Sequence, residues 1–508
     1  MSYIGNSPEK GNFRKADSIT CSATATYNLL VGGVAVNPNQ NQCIVSLNGV
    51  IQSSGTSYTI ASSQITFASA LTSSDVIDFI LILGDTLNAG IPSDSSVDAS
   101  KITANVITGQ SALGATPADT DELLISDAGT LKRVDYSYLK SSVVNRPNAQ
   151  PLIINGDMQI AQRGASVTGK TSSGYYTVDR MKNVMNNLGT WTIAQETLTS
   201  GNAFAAGFNK AYRIDCTTAD ASPAAGDTFF FTTYLEGQNV QCFKKGTANA
   251  ETYTLSFWVK SNKTGTGQVN LVDNDNSRMC GASYTISSAD TWEHKICTYA
   301  ADTTGAFGND NGRSLKMEWW LDSGSTYTSG TMPTAWEADS NADSNAAGTL
   351  SLADNTANDW AITGIQLEVG TYTSSTLPPF QFESFGENLR RCQRYYEKSY
   401  DYATAPNTSV AEKHAYICTY YTGGGGANDD AVVNAVEFKV NKRAAPTMNL
   451  ISRTGTDNTW YFGVFGASEA TATATATYIT DESFTPYGDA VDNNANVCNG
   501  YFTAESEL

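Results

Sequence analysis

From Tyr253 to Lys260 the chain reads YTLSFWVK, with Tyr253, Leu255, Phe257 and Val259 on one parity and Thr254, Ser256, Trp258 and Lys260 on the other. Side chains of a strand point alternately to opposite faces, so this spacing predicts a strand with one face in a core. LKMEWWLD repeats it: Leu315, Met317, Trp319 and Leu321 face one way, and Lys316, Glu318, Trp320 and Asp322 the other. GIQLEVG alternates again, placing Ile365, Leu367 and Val369 inward as a late strand. These runs predict a β-sandwich over residues 151–383. They set Trp258 and Trp320 among polar neighbours on faces turned away from that core.

Before it, residues 1–85 read as a small β domain. In VSLNGVIQ, Asn48 and Gly49 separate two apolar runs, and this pair supplies the positive φ angles of a tight hairpin turn. YTIASSQITF repeats the logic around Ser62, Ser63 and Gln64, whereas VIDFILIL (76–83) is apolar on both parities and predicts cover on both faces, one source being another subunit. Residues 86–150 turn rich in Ser, Thr, Ala, Asp and Gly, a composition unable to bury its own core, and read as a linker or as a shaft ordered by identical chains. One hairpin is expected there, ELLISDAGTLKRVDYSYLK, turning at Asp127, Ala128 and Gly129. Residues 401–508 hold further strand-like runs (HAYICTYY, AVVNAVEFKV, TMNLIS, TWYFGVF, ATATATATYIT) and predict a small C-terminal sandwich.

One segment breaks the β pattern. In PPFQFESFGENLRRCQRYYEKSY, Ser384 precedes Glu387 by three residues, a capping-box spacing, after the helix-incompatible Pro378 and Pro379. A connecting helix is expected over 384–400, with Leu389, Cys392 and Tyr396 as its apolar stripe. Arg390, Arg391, Arg394 and Lys398 fall off that stripe, toward the end where the helix dipole favours cations. The competing reading is a basic nucleic-acid-binding helix. It lacks a continuous phosphate track in a chain of formal net charge −19, so no nucleic-acid partner is expected.

Charge and cysteine usage narrow the classes further. Acidity disfavours anionic surfaces, the N-terminus has no apolar core of signal-peptide length, and no run approaches a membrane span, so neither export nor membrane insertion is expected. Nine cysteines are dispersed singly without a CxxC pair, which reads as buried free thiols from a reducing compartment.

Chemistry-bearing motifs are sparse. The only histidines, His294 and His414, sit in strand-like runs and read as non-catalytic strand positions; no GxSxG, HExxH or Walker loop occurs. VDNDNSR and GNDNGR offer Asp273, Asp275 and Asp310 as hard oxygens for calcium, but neither has a full ligand set and solvated turns are preferred, so no metal and no cofactor is expected. Trp258 and Trp320 are sharper, because sugar rings pack their CH faces on flat aromatics while polar neighbours such as Lys316 and Glu318 hydrogen-bond hydroxyls. Contact with a neighbouring subunit or domain also accounts for them and is the preferred reading, since tryptophan often anchors interfaces. Tyr327, Trp336 and Trp360, in or beside loops, are weaker candidates.

LIINGDMQIAQRG, YTVDRM, YTLSFWVKSNKTG, YTISSADTWEHK, WWLDSGSTYTSG, NDWAITGIQLEVG and CQRYYEKSY occur in that order. Together they resemble bacteriophage tail-fibre proteins with a carbohydrate-binding-module-like jelly roll, most strongly over 151–400. SLNGVIQSSGTSYTI, the 122–140 hairpin and the ending TAESEL are similar to such fibres as well. NLRRC departs from them, standing where acidic or apolar residues are common. The resemblance implies a homotrimeric virion appendage made in the bacterial cytoplasm, attached to the phage tail through residues 1–85, with host cell-surface glycan as its distal partner. The expectation is thus a mainly β chain: N-terminal domain, shaft-like linker, jelly-roll sandwich, short helix and C-terminal sandwich. A non-enzymatic fibre is preferred; a carbohydrate-active tailspike depolymerase is the alternative and a bacterial adhesin a third reading.

Overall fold

The computed structural model describes residues 13–84, 104–115, 117–142, 150–411, 415–417, 430–432, 434–463, 469–489 and 497–508. The chain divides into two compact units, Met1–Asp121 and Glu122–Leu508. It is mainly β, with many antiparallel sheets.

In the first unit, a four-stranded sheet runs Phe13–Lys15, Ile77–Leu83, Cys43–Leu47, Val50–Ile51, and a three-stranded one Thr26–Asn28, Gln64–Phe67, Tyr58–Ala61. Leu29, Val45, Tyr58, Ile65, Ile80 and Ile82 form its core. The Asn48/Gly49 turn is a two-residue hairpin with φ of 49° and 77°, and Ser62 and Ser63 adopt the same left-handed pair at 51° and 60°. Gln64, expected in that second turn, already pairs with Ala61. The strand at 77–83 is more one-sided than its composition suggests: Ile80 and Ile82 are buried, while Phe79, Leu81 and Leu83 remain half-buried.

The second unit opens with the expected hairpin, Glu122–Asp127 against Thr130–Asp135, turning at Ala128 and Gly129 with φ of 49° and 83°. A short helix, Tyr136–Ser142, follows it. The sandwich is jelly-roll-like. Its six-stranded sheet runs Ser166–Lys170, Thr190–Thr197, Lys210–Thr218, Asp359–Val369, Tyr253–Ser261, Glu293–Tyr299. Its seven-stranded sheet runs Gly174–Tyr175, Lys182–Asn186, Thr228–Glu236, Arg313–Ser323, Gly265–Asp273, Arg278–Ile286, Glu337–Ala338. The chain passes repeatedly from one sheet to the other, so residues distant in sequence interleave. The parity read from YTLSFWVK and LKMEWWLD holds: Tyr253, Leu255, Phe257, Val259, Leu315, Met317, Trp319 and Leu321 are all buried in the core between the sheets. Trp191, Phe229, Phe231 and Trp360 fill the same layer.

The helix begins where the capping box places it. Ser384 has extended backbone and its hydroxyl accepts from the Glu387 amide at 3.3 Å, and the helix spans Phe385–Gln393. It is shorter than expected, because Tyr396–Lys398 is a strand pairing with Tyr501–Glu505. Tyr396 therefore lies off the helix, and Tyr395 joins Cys392, Ile154 and Ile160 in its apolar cluster. The partner strand lies a hundred residues on, beyond any local periodicity.

Each cation of this segment has a partner in the fold. Arg390 pairs with Glu387 at 2.7 Å, Arg391 with Glu383 at 2.6 Å and Arg394 with Glu236 of the sandwich at 2.9 Å. The buried Lys398 donates to the carbonyls of Tyr402 (2.8 Å) and Thr404 (2.6 Å). Beyond it, the C-terminal strands enclose Leu450, Trp460, Phe462, Phe484 and Phe502. His414 and most of HAYICTYY lie outside the described residues.

Candidate functional site

The register of the seven-stranded sheet aligns its outward side chains in rows. Phe230 pairs with Trp320, Thr232 with Glu318 and Tyr234 with Lys316; on the next strand Gln268 and Asn270 lie opposite Trp320 and Glu318. The rows make one floor. On it Phe230 and Trp320 lie 4.7 Å apart, and Tyr327, from the loop after the Arg313–Ser323 strand, lies 5.1 Å beyond Trp320. Beside this aromatic ladder Lys316 and Glu318 form an ion pair, and Glu318 accepts from the Trp320 indole at 3.2 Å. Arg313 stands over the Tyr234 ring at 5.0 Å and Lys182 at 5.6 Å.

Charges on this floor shift one another. Burial disfavours the Lys316 ammonium, but the Glu318 carboxylate outweighs it and raises the Lys316 pKa. Burial raises the Asp339 carboxyl, and the Glu318 charge adds to the rise. The floor therefore holds a salt-paired cation and an aromatic ladder within a few strands.

Trp320 itself is 3% exposed. Neither a sugar nor a neighbouring subunit is needed to cover it, contrary to expectation: the chain does so with Phe230 and Tyr327. The loop of residues 324–348 is tied down nearby. The Asp343 and Ser344 carbonyls accept from Gln268 and Asn270 at 2.8 and 2.7 Å, and the Ala347 amide donates to Gln268 at 2.9 Å. Gly281 makes room for the same loop, since a Cβ there would meet the Met332 side chain at 2.8 Å. Of this site, the half-buried Tyr327, Lys316 and Lys182 and the exposed Arg313 remain accessible.

The remaining sequence candidates lie elsewhere. Trp258 is on the outer face of the other sheet, half-buried, stacked on His294 at 4.9 Å and packed near Trp292 and Phe208. Trp336 and Trp360 belong to the core, and the Trp336 indole donates to the Ala300 carbonyl at 2.8 Å, so neither presents a face to a ligand. Asp273 is fully buried rather than on a solvated turn: the Lys245 ammonium contacts Asp273 (2.5 Å) and Asp302 (3.0 Å) and donates to the carbonyls of Thr304 (2.9 Å) and Gly305 (2.8 Å). An internal ammonium thus takes the oxygens that suggested calcium. Asp275 and Asp310 accept from the backbone amides of Gly308 and Gly312, both at 2.8 Å. Among the described residues no three metal-ligating side chains converge.

Sequence reading missed Phe230, Tyr234, Lys182 and Arg313. TFFFTTYLE (228–236) is buried throughout, so its parity carries no signal.

No protein-family model matches the chain, and no curated protein does. Among solved structures, an enzymatically active domain of a bacteriophage CBA120 tailspike aligns at 11% identity and TM-score 0.23, over 43% of this chain and 21% of its own. A putative sugar-binding protein from Bacteroides thetaiotaomicron aligns at 14% identity and TM-score 0.23, over 43% of this chain and all of its own. The CBM22 tandem domain of Paenibacillus barcinonensis Xyn10C aligns at 10% identity and TM-score 0.21, over 68% and 91%. The chain spans about a fifth of the tailspike structure's length. Superpositions of this quality assign neither family nor ligand; the sandwich is read from the chain's own sheets.

Proposed function

We propose that this chain is a non-enzymatic bacteriophage tail fibre, homotrimeric in the virion, which docks on the tail through residues 1–85 and binds host-surface glycan through its sandwich. The observation that carries the glycan reading is the outer face of the seven-stranded sheet, where Tyr327 extends the Phe230–Trp320 ladder beside the Lys316–Glu318 pair. Saccharides need both an aromatic surface for CH faces and fixed polar groups for hydroxyls. The fibre reading also draws on the ordered motifs from LIINGDMQIAQRG to CQRYYEKSY.

A glycan array with the purified chain, scored for retention and for released product, tests it. Retention without product, weakened by about 1–2 kcal/mol in Tyr327→Ala and in Lys316→Ala, is the expected result. Release of shortened saccharide would replace it with the depolymerase reading. Light scattering that finds a folded monomer at micromolar concentration would remove the trimer.

A further inference from the structure

A second recess of this unit lies away from the aromatic floor. An open cavity of about 940 Å³ lies where the sandwich, the Phe385–Gln393 helix and the C-terminal strands meet. Its charged lining is of one sign: Arg390, Arg391, Arg394 and Lys439, with no carboxylate among the lining residues. In a chain of net charge −19 this concentration calls for a cause. The carboxylates that position the arginines, Glu387, Glu383 and Glu236, hold them from outside that lining. Arg394 spends its Nε and one terminal nitrogen on Glu236, and Arg390 does the same with Glu387, which leaves each a second terminal nitrogen. The exposed Lys439 ammonium makes no ion pair among the described residues. The amide side chains of Gln150, Asn239 and Asn441 complete the polar wall.

We propose that this cavity is a binding site for an oxyanion, a carboxylate or a phosphate, carried on a saccharide. Guanidinium groups pre-set by carboxylates present fixed N–H donors to an oxyanion at little cost in side-chain freedom, and amides suit hydroxyls. The cavity holds two or three sugar residues at ordinary packing, a far shorter anion than the polyphosphate track a nucleic acid needs. The acidity of the rest of the chain works against a long polyanion as well. The saccharide scaffold rests on the glycan reading above; the oxyanion rests on the cavity's charge alone.

Titration calorimetry of the full chain with trigalacturonate, glucose 6-phosphate, maltotriose and a ten-residue deoxythymidine oligomer tests this. Trigalacturonate, glucose 6-phosphate or both are expected to bind, more weakly as salt rises, and which of them binds identifies the oxyanion. Lys439→Ala and Arg390→Gln, both at exposed positions, are each expected to weaken that binding by about tenfold, as for loss of one charge-assisted hydrogen bond. Lys244→Gln, which removes an exposed charge elsewhere on the sandwich, is expected to leave it unchanged. Equal binding of maltotriose, tighter binding of the oligonucleotide, indifference to the Lys439 and Arg390 changes, or no binding of either anionic sugar at 10 mM (on the order of the weakest useful affinity) overturns the proposal. The Tyr327 and Lys316 variants leave this cavity intact, so failure of the sheet-face reading is recognised separately.

Discussion

Arg394 and Glu236, 158 residues apart in sequence, form a two-pronged clamp: Nε and Nη2 of the arginine donate to the two carboxylate oxygens, each at 2.9 Å. Tyr395 adds a third donor at 2.5 Å. Burial alone would raise the Glu236 carboxyl; these donors overcome it and hold its pKa below the ordinary value. Arg394→Ala leaves a fully buried carboxylate without its counter-ion, a change expected to cost about 3 kcal/mol. Urea unfolding of this variant beside the double variant Arg394→Ala/Glu236→Gln checks it. Recovery of part of the loss in the double variant is the signature of the stranded charge.

A second clamp joins the sandwich to residue 507. Arg163, partly buried, and the fully buried Arg180 converge on Glu507, with Arg163 at 3.3 Å, while their guanidinium groups lie over Tyr396 at 3.7 Å and Tyr395 at 3.5 Å. Arg443 donates to the Ser506 carbonyl at 2.9 Å and Tyr175 to that of Leu508 at 2.8 Å. Glu507→Ala strips Arg163 and the buried Arg180 of a shared partner and is expected to cost about 3–5 kcal/mol. Calorimetry is expected to show the melting of the sandwich and the C-terminal strands falling together.

Stability is expected to rise on mild acidification. Burial pushes the carboxyls of Asp157, Asp179 and Asp322 up to about 6, above their unfolded value of about 4. A raised pKa means that the folded chain binds more protons, so this stabilisation is full below pH 4 and lost as pH climbs through 6. From pH 7 to pH 5 each group contributes about 1 kcal/mol. In the other direction, burial opposes ionisation of Glu236 and Asp302, but hydrogen bonds, led by those from Arg394 and Arg278, hold both below their ordinary values, and their contribution is lost in strong acid. Thermal melts from pH 3 to pH 8 are expected to peak near pH 5, and Asp179→Asn to flatten the acid-side rise.

Trp320 is expected to act first on folding. Removing its ring empties the space between Phe230 and Tyr327, a large-to-small change that costs about 3–5 kcal/mol in a buried site. Trp258, half-buried on the other sheet, is expected to cost less than half as much. Urea unfolding of Trp320→Ala and Trp258→Ala at one pH and one chain concentration measures both. Equal losses would contradict the burial described for the two rings.

Much of the secondary structure was legible because its causes are local. Asn48, Gly49 and Gly129 tolerate positive φ by residue type, and the Ser384 cap depends on an amide three residues away. Parity worked for the same reason. Adjacent side chains of a pleated strand point to opposite faces, so LKMEWWLD separates Trp319 in the core from Trp320 on the outer face.

What lies on the far side of an outward residue is set by chain crossings that leave no trace in spacing. The sequence put Trp320 outside its core; only the fold supplied Phe230 and Tyr327 as its cover. It showed Asp273 in an Asx-rich loop; only the fold brought Lys245 into the oxygens around it. It marked the cluster from Arg390 to Lys398 as basic; only the fold brought Glu236 to Arg394 and the Tyr402 and Thr404 carbonyls to Lys398, and set Lys439 in one cavity lining with the arginines. Backbone angle and face are decided within a few residues, where the sequence is explicit. Burial, pairing and cavity shape depend on segments a hundred or more residues apart, and composition says nothing of which will meet.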